Sequence, residues 1–341
     1  MPFSFFICYN TLMEFTKRLL DWYEENKRDL PFRRSKDPYH IWVSEIMAQQ
    51  TQIATMIPYY ERWIQKYPTI HDLAEADIDD ILKMWEGLGY YNRARNLHKG
   101  AQYVVNHFNG SLPKDKKKLM EIPGIGDYTS SAIAAIAFDL PEIAVDGNVK
   151  RVMARFLNYT ENVNTRLAHK TFEDYLKKEL IASNANPSDF VQALMELGAL
   201  VYTPSNTTCE GSPFKELCAC YRGENIGTIP FIPKAKKAPS YKKSVLIYTE
   251  ENHILISNDD SDGLMKDLWR LPQIDDHQDK PILYSMKHKF THLTWDIKVY
   301  RAETLLDLDH TTLIPLENLD DIAMVTAHKK IIQYLKINDL L

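Results

Sequence analysis

Two carboxylates and one glycine hairpin are the parts of this chain whose types and spacing could do chemistry. The hairpin lies within Leu119 to Val152, which reads LMEIPGIGDYTSSAIAAIAFDLPEIAVDGNVKRV. Its centre, Pro123-Gly124-Ile125-Gly126, does not suit ordinary helix, because proline lacks the N–H and glycine costs backbone entropy there. Helix-compatible residues flank it, Leu119-Met120 before and Ser130 to Ala137 after, so the pattern predicts helix, tight hairpin, helix. Glycines let a backbone approach a guest closely, and the unpaired N–H groups opening the next helix favour an anion such as phosphate. Asp146 follows, with Gly147 and Asn148 just ahead of a helix bearing Lys150, Arg151 and Arg155. The other carboxylate, Glu45, sits on a largely apolar stretch beside Trp42, Ile46 and Met47. Burial raises a carboxyl pKa and keeps a proton available near neutral pH, whereas helix N-terminal amides would keep Asp146 ionised. A proton donor and a fixed anion are the pair that sugar hydrolysis uses. Each piece alone has a plainer reading: a helix C-cap with a turn, a surface Glu on an amphipathic helix, and an N-cap Asp.

Helices must position these groups. Phe15, Leu19, Leu20 and Trp22-Tyr23 recur at helical spacing over Phe15 to Glu25, and Asp29 to Arg34 breaks the run. Asp37-Pro38 opens a helix with an acidic N-cap and proline in the first turn, expected to run through Glu45 and Gln49-Gln50-Thr51-Gln52 toward Tyr59, with Pro58 bending it. Asp77 to Trp85 reads as a short helix, Gly87-Leu88-Gly89 as a second glycine turn, and Tyr90 to Arg93 as the start of another helix. Helical patterns continue through Leu157, Leu167 to Leu180 and Phe190 to Tyr202. Pro230, Pro233 and Pro239 among lysines mark a linker, and β-type runs follow at Ser244 to Thr249, His253 to Ser257, Ile282 to His288 and Thr294 to Tyr300. A last helix is expected over Asp321 to Leu335. At 341 residues two domains are expected: a mainly α domain over 1–225, a linker over 226–243 and a small α+β domain over 244–341. Four cysteines, three of them bunched at Cys209 to Cys220, do not make a secreted disulfide framework, and no run approaches membrane-spanning length. The expected setting is therefore intracellular and cytoplasmic. Residues 1–12 read as an extension, with Met13 as a second possible start.

Taken together, the hairpin, Val145-Asp146-Gly147-Asn148-Val149-Lys150-Arg151-Val152, and Trp42-Val43-Ser44-Glu45-Ile46-Met47 followed by Gln49-Gln50-Thr51 resemble the helix–hairpin–helix base-excision DNA glycosylases. The likeness covers most of the chain, and the branch it resembles best is the adenine DNA glycosylases of the MutY type. That family implies a helical glycosylase domain in two subdomains and a Nudix-like C-terminal domain, for which Leu268-Trp269-Arg270-Leu271-Pro272 is the landmark. The acidic metal-binding helix of Nudix hydrolases is missing from 244–341, so pyrophosphatase chemistry is not expected. The implied activity is hydrolytic removal of adenine mispaired with 8-oxoguanine or guanine, by a monomer acting on double-stranded DNA. A net charge of −5 runs against the usual basic balance of a DNA binder, but one basic face suffices. Lys114, Lys116, Lys117, Lys118, Arg93, Arg95, Lys150, Arg151 and Arg155 are the candidates for it.

Residue by residue, the resemblance implies that Glu45 protonates adenine N7, that Asp146 stabilises the cationic sugar or bonds to it transiently, that Asn148 orients the pair, and that Tyr128 hydrogen-bonds near the reacting centre. Gly124 and Gly126 bring backbone to phosphate. Endonuclease III-like relatives carry a Schiff-base lysine at the position of Tyr128, so no efficient AP lyase activity is expected here. Gln50 and Tyr90 are implied as wedges around the opposing lesion, with Thr51 and Leu88 beside them. Arg33 and Gln192 are implied in the adenine pocket, and Phe290, Thr291 and His292 as the loop reading 8-oxoguanine.

The chain departs from the family at one place. Most members hold a 4Fe–4S cluster with four cysteines, and the corresponding positions are Tyr202, Cys209, Ser212 and Cys218. A cubane cluster wants four thiolates, and Cys220 cannot restore the spacing, so no cluster and no metal are expected. Tyr202 would fill the vacated volume, Ser212 would turn the loop, and Phe214, Leu217 and Tyr221 would supply packing. Zinc on Cys209, Cys218 and Cys220 is the weaker alternative, since no fourth ligand is in view. Two other functional readings remain: an endonuclease III-like pyrimidine glycosylase with lyase activity, and a catalytically silent damage-binding module.

Overall fold

A computed structural model describes residues 9–205, 209–223, 226–233, 238–261, 265–274, 281–290, 293–305 and 308–341. The chain divides into two compact units, Met1–Glu75 with Asn96–Lys234, and Ala76–Arg95 with Ala235–Leu341. In chain order the helices are α1 (Tyr9–Asn26), α2 (Pro38–Ala48), α3 (Ile53–Lys66), α4 (Ile70–Glu75), α5 (Ile78–Trp85), α6 (Asn92–Phe108), α7 (Lys116–Leu119), α8 (Asp127–Phe138), α9 (Gly147–Phe156), α10 (Arg166–Ser183), α11 (Pro187–Leu200), α12 (Ala219–Arg222) and α13 (Thr326–Ile337).

Local chemistry sets most of the boundaries in the first unit. Asp37 caps α2 by accepting from the Tyr39 and His40 amides, and Pro38 supplies the first turn. Asp146, Thr165 and Asn186 cap α9, α10 and α11 in the same way. Thr129 through Ile136 of α8 are all buried. A helix apolar on every side belongs in the core, and the small Ser and Ala residues let its neighbours come close. α8 packs against α2 and α11, and α9 packs against α11. Gly100 of α6 makes the hairpin fit: a Cβ there would come within 2.7 Å of the Pro123 carbonyl oxygen and 2.8 Å of the Trp42 ring.

One expected helix is two. α2 ends at Ala48 and α3 starts at Ile53, because Gln50 takes a left-handed backbone with φ of 55° that no helix accommodates. Pro58 lies inside α3 and does not end it.

The second unit carries α5, α13 and two sheets. A four-stranded sheet has the order β4-β1-β6-β5, built from β4 (Gln273–Ile274), β1 (Ser240–Ile247), β6 (Thr294–Arg301) and β5 (Tyr284–Lys289). β1 runs parallel to β6 in the register Ser240 to Thr294 and Val245 to Val299. The smaller sheet is β2-β3-β7, from β2 (Thr249–Glu250), β3 (His253–Ser257) and β7 (Thr311–Pro315). Residues 240–243, expected in the linker, open β1; their lysines and tyrosine mask the strand by leaving its first residues exposed. α13 starts five residues later than expected and buries Ala327, His328, Ile331, Ile332 and Leu335. Glu86 ties α5 to α13 through Lys83 at 2.9 Å and Lys329 at 2.7 Å.

Candidate active site

The two carboxylates fall in one site of the first unit. α2 is buried at Ile41, Trp42, Val43, Ser44, Ile46 and Met47, which leaves Glu45 as the acidic side chain on a helix otherwise facing the core. Glu45 keeps part of its surface open. Its Oε2 accepts the Tyr128 hydroxyl at 2.8 Å. Burial above all, with the negative charge of Asp146, raises the Glu45 pKa to about 7, against the Tyr128 bond and the Arg33 charge, which lower it. The protonated form is therefore well populated near neutral pH. Tyr128 itself is pushed well above the ordinary phenol range, first by burial and then by the charges of Glu45 and Asp146. All three groups sense one another.

Asp146 is fixed from two sides. Its Oδ1 accepts the Val149 amide at 2.8 Å and its Oδ2 accepts Asn148 Nδ2 at 2.6 Å. Burial raises its pKa, against the bonds from Val149 and Asn148 and the Arg151 charge. The expectation of a simple helix-stabilised anion thus left out a desolvation cost that these donors oppose. Arg151, which sequence reasoning placed on a basic outer face, holds the other end of Asn148: its Nη2 donates to Asn148 Oδ1 at 2.6 Å and to the Gly198 carbonyl at 3.0 Å, and its Nε to the Tyr202 carbonyl at 2.8 Å. Its position three residues after Asn148 on a helix was the available clue.

At the hairpin, Gly124 has φ of 85°, and a Cβ there would meet Asn96 Cβ at 2.8 Å. Gly126 differs. Its φ is −90° and nothing lies within 4 Å of where a Cβ would project. Neither conformation nor packing within the chain requires glycine there. It leaves space outside the N-terminus of α8.

Arg33 and Gln192 share a cleft of about 340 Å³ with Tyr23, Ser188 and Asp189. The carboxylates do not line it, and Arg33 acts on Glu45 through its charge. Gln192 donates to Ser188 at 3.0 Å. Glu196, fully buried and missed in the sequence, grips Arg28 at 2.6 Å and Arg33 at 2.7 Å, and despite its burial these bonds hold its pKa down to about 2. A lone acid inside the apolar run Phe190 to Val201 was its signature. Gln50 and Thr51 form the turn between α2 and α3, with Gln50 exposed. In the second unit, Leu88, Tyr90 and Phe290 line a cleft of about 630 Å³ together with Arg93, Lys266 and Lys289. Thr291 and His292 lie outside the described residues.

The proposed basic face shrinks. Arg155 is buried and bonded to the Ile229 and Thr203 carbonyls, Arg95 pairs with Asp267 at 2.7 Å, and Lys116 pairs with Asp127 at 2.9 Å. Burial and pairing, invisible in a count of charges, leave Lys114, Lys117, Lys118 and Lys150 as its partly or fully open lysines.

Of the four positions that correspond to cluster ligands, Cys209 and Cys218 carry thiols and Tyr202 and Ser212 carry hydroxyls. The Tyr202 hydroxyl and Ser212 Oγ lie 2.7 Å apart, and Ser212 Oγ also accepts the Phe214 amide at 3.0 Å. Tyr202, Cys209 and Cys218 are wholly buried, with the Arg155 guanidinium 5.9 Å from the Tyr202 ring centroid. Phe214 stacks on Phe15 at 4.4 Å, whereas Tyr221 is 39% exposed, with Lys215 Nζ 5.3 Å from its ring centroid. A hydrogen bond to Cys209 holds the Cys218 thiol down to about 6. Among the described residues no three His, Cys, Asp or Glu side chains converge as a metal site.

Residues 43–178 match the HhH-GPD superfamily of base excision DNA repair proteins. The adenine DNA glycosylase of Rattus norvegicus is 33% identical over 345 residues, covering 84% of this chain and 66% of that protein, so the chain spans just under two thirds of the rat relative's length. The adenine DNA glycosylase of Buchnera aphidicola subsp. Baizongia pistaciae is 34% identical over 349 residues, covering 96% and 98%. Among solved structures, a thermostable thymine-DNA glycosylase aligns with a TM-score of 0.56 at 26% identity, covering 63% of this chain and 98% of that one. The chain belongs to the adenine DNA glycosylase family.

Proposed function

We propose that this protein is a monofunctional DNA glycosylase that removes adenine mispaired with 8-oxoguanine or guanine in duplex DNA. The observation that carries the reading is the Tyr128 bond to Glu45, in a setting where burial and Asp146 put the Glu45 pKa at about 7. The base leaves the stack at a cost of a few kcal/mol. Glu45 gives its proton to adenine N7, the C1′–N9 bond breaks, and neutral adenine departs. The oxocarbenium-like sugar sits against Asp146, whose orientation Asn148 maintains. Water then adds to C1′ and its proton returns to Glu45, which restores the acid. Tyr128 has no amine with which to trap the sugar, so the abasic product is left unnicked. Gly126 and the first amides of α8 take a backbone phosphate. Gln50 and Tyr90, with Thr51 and Leu88, support the duplex around the opposing lesion. Phe290, with Thr291 and His292, reads that lesion. No iron–sulfur cluster takes part, and the Tyr202–Ser212 bond is its replacement.

A single-turnover assay on a duplex with adenine opposite 8-oxoguanine tests this. Strand breaks should appear after alkali and not before it. Glu45→Gln should still bind that duplex and release no adenine. Release at the parent rate by Glu45→Gln would overturn the assignment. Stoichiometric iron with a visible absorption shoulder in the purified protein would overturn the cluster-free reading.

A further inference from the structure

The turn that carries Tyr90 is built from backbone that most residues avoid. Gly87, Gly89 and Tyr90 have φ of 104°, 71° and 50°. Glycine takes such values freely, but a residue with a Cβ disfavours them. Surrounding bonds must therefore hold Tyr90 there. Two come from one side chain: Arg93 Nη2 donates to the carbonyl oxygens of Leu88 and Gly89, both at 3.1 Å. Trp85 Nε1 donates to the Gly89 oxygen at 3.0 Å. The Arg93 guanidinium lies 5.2 Å from the Trp85 ring centroid and 5.6 Å from that of Tyr90, so it is also packed between the two rings' neighbourhoods. The Arg93 fork is bonded to its own turn and also lines the cleft at which the Tyr90 ring stays 38% exposed.

We propose that Arg93 is a positioning residue: it fixes the Gly87–Tyr90 turn in the shape that presents Tyr90 to the duplex, and so governs how readily the base is extruded. This rests on the reading of Tyr90 as a wedge. A cation that instead touched phosphate would behave differently. Its loss would weaken binding to every duplex alike and reduce the salt dependence by about one ion.

The test uses the full chain and a duplex carrying 2-aminopurine opposite 8-oxoguanine, whose fluorescence rises on unstacking. Arg93→Lys keeps the charge and loses the fork. It should abolish most of the fluorescence rise and slow adenine release about tenfold or more, as misplacement of a wedge would. Affinity for undamaged duplex and its salt slope should stay at the parent values. The double variant with Tyr90→Ala should be no slower than Tyr90→Ala alone. Additive losses, a uniform loss of affinity with a shallower salt slope, or parent-like extrusion would each overturn the proposal. If Arg93→Lys does not fold, Trp85→Phe decides, since it removes the third bond to the turn and leaves the cation. It should show the same loss of extrusion and the same non-additivity, and parent-like extrusion would overturn the proposal. A parent protein that extrudes 2-aminopurine but releases no adenine would count against the glycosylase reading alone.

Discussion

Tyr128 donates its hydroxyl to Glu45 Oε2 at 2.8 Å, so the first turn of α8 holds the carboxyl of α2. The bond stabilises the ionised carboxylate and pulls its pKa down, against burial. In Tyr128→Phe that restraint is gone and the Glu45 pKa rises. In the proposed mechanism Glu45 acts as the protonated acid, so the alkaline limb of the kcat profile should move to higher pH while its plateau falls, because the carboxyl loses its fixed direction. A pH–rate series under single turnover measures both.

The same carboxyl has a cost in stability. Its folded pKa, about 7, lies above the ordinary 4.5, so the folded state binds the extra proton between those values. Stability therefore falls as pH rises through that window and stays lower above it. Glu45→Gln cannot ionise and escapes the loss. Urea midpoints at pH 5 and pH 8 should show the variant gaining on the parent at the higher pH, by on the order of 1 kcal/mol after allowing for solvent reaching a partly open group.

Arg151 reaches Asp146 through Asn148. Glutamine at 151 is too short to hold Asn148 Oδ1 and the Tyr202 carbonyl together. Arg151→Gln should lower kcat about tenfold or more with KM little changed, as loss of alignment does. The Arg151 charge also lowers the Asp146 pKa, so the acidic limb should shift to higher pH. Steady-state kinetics across pH separates the two effects.

The Tyr202–Ser212 pair should behave as a buried polar contact. Ser212→Ala removes the oxygen partner of the Tyr202 hydroxyl, leaving it the Cys218 sulfur, and also takes away the acceptor of the Phe214 amide, and should cost about 1–3 kcal/mol. Tyr202→Phe should cost less, because Ser212 still accepts the Phe214 amide. In the double variant the losses should fall short of their sum, measured by thermal or denaturant unfolding.

The parts of the site legible in the sequence were those written in local backbone chemistry. Pro123-Gly124-Ile125-Gly126 and the N-caps Asp37 and Asp146 declare their geometry within a few residues. The break at Gln50 did not, since Gln49-Gln50-Thr51-Gln52 contains no Gly or Pro and its left-handed residue is set by tertiary structure. Side-chain direction was equally hidden. Arg93, Arg151 and Arg155 count as basic residues in a sequence, yet each donates to backbone carbonyls of its own unit. β7 escaped notice because Thr311 and Thr312 lack apolar alternation and Pro315 reads as a terminator.

The vacant room beside Gly126 separates tolerance from competence. A methyl group would meet no atom of the described residues there, so Gly126→Ala should melt like the parent. In the proposed function the same methyl would occupy the position given to a backbone phosphate. Gly126→Ala would thus pass any screen that ranks by melting temperature, while titration with duplex would expose it as a weaker binder.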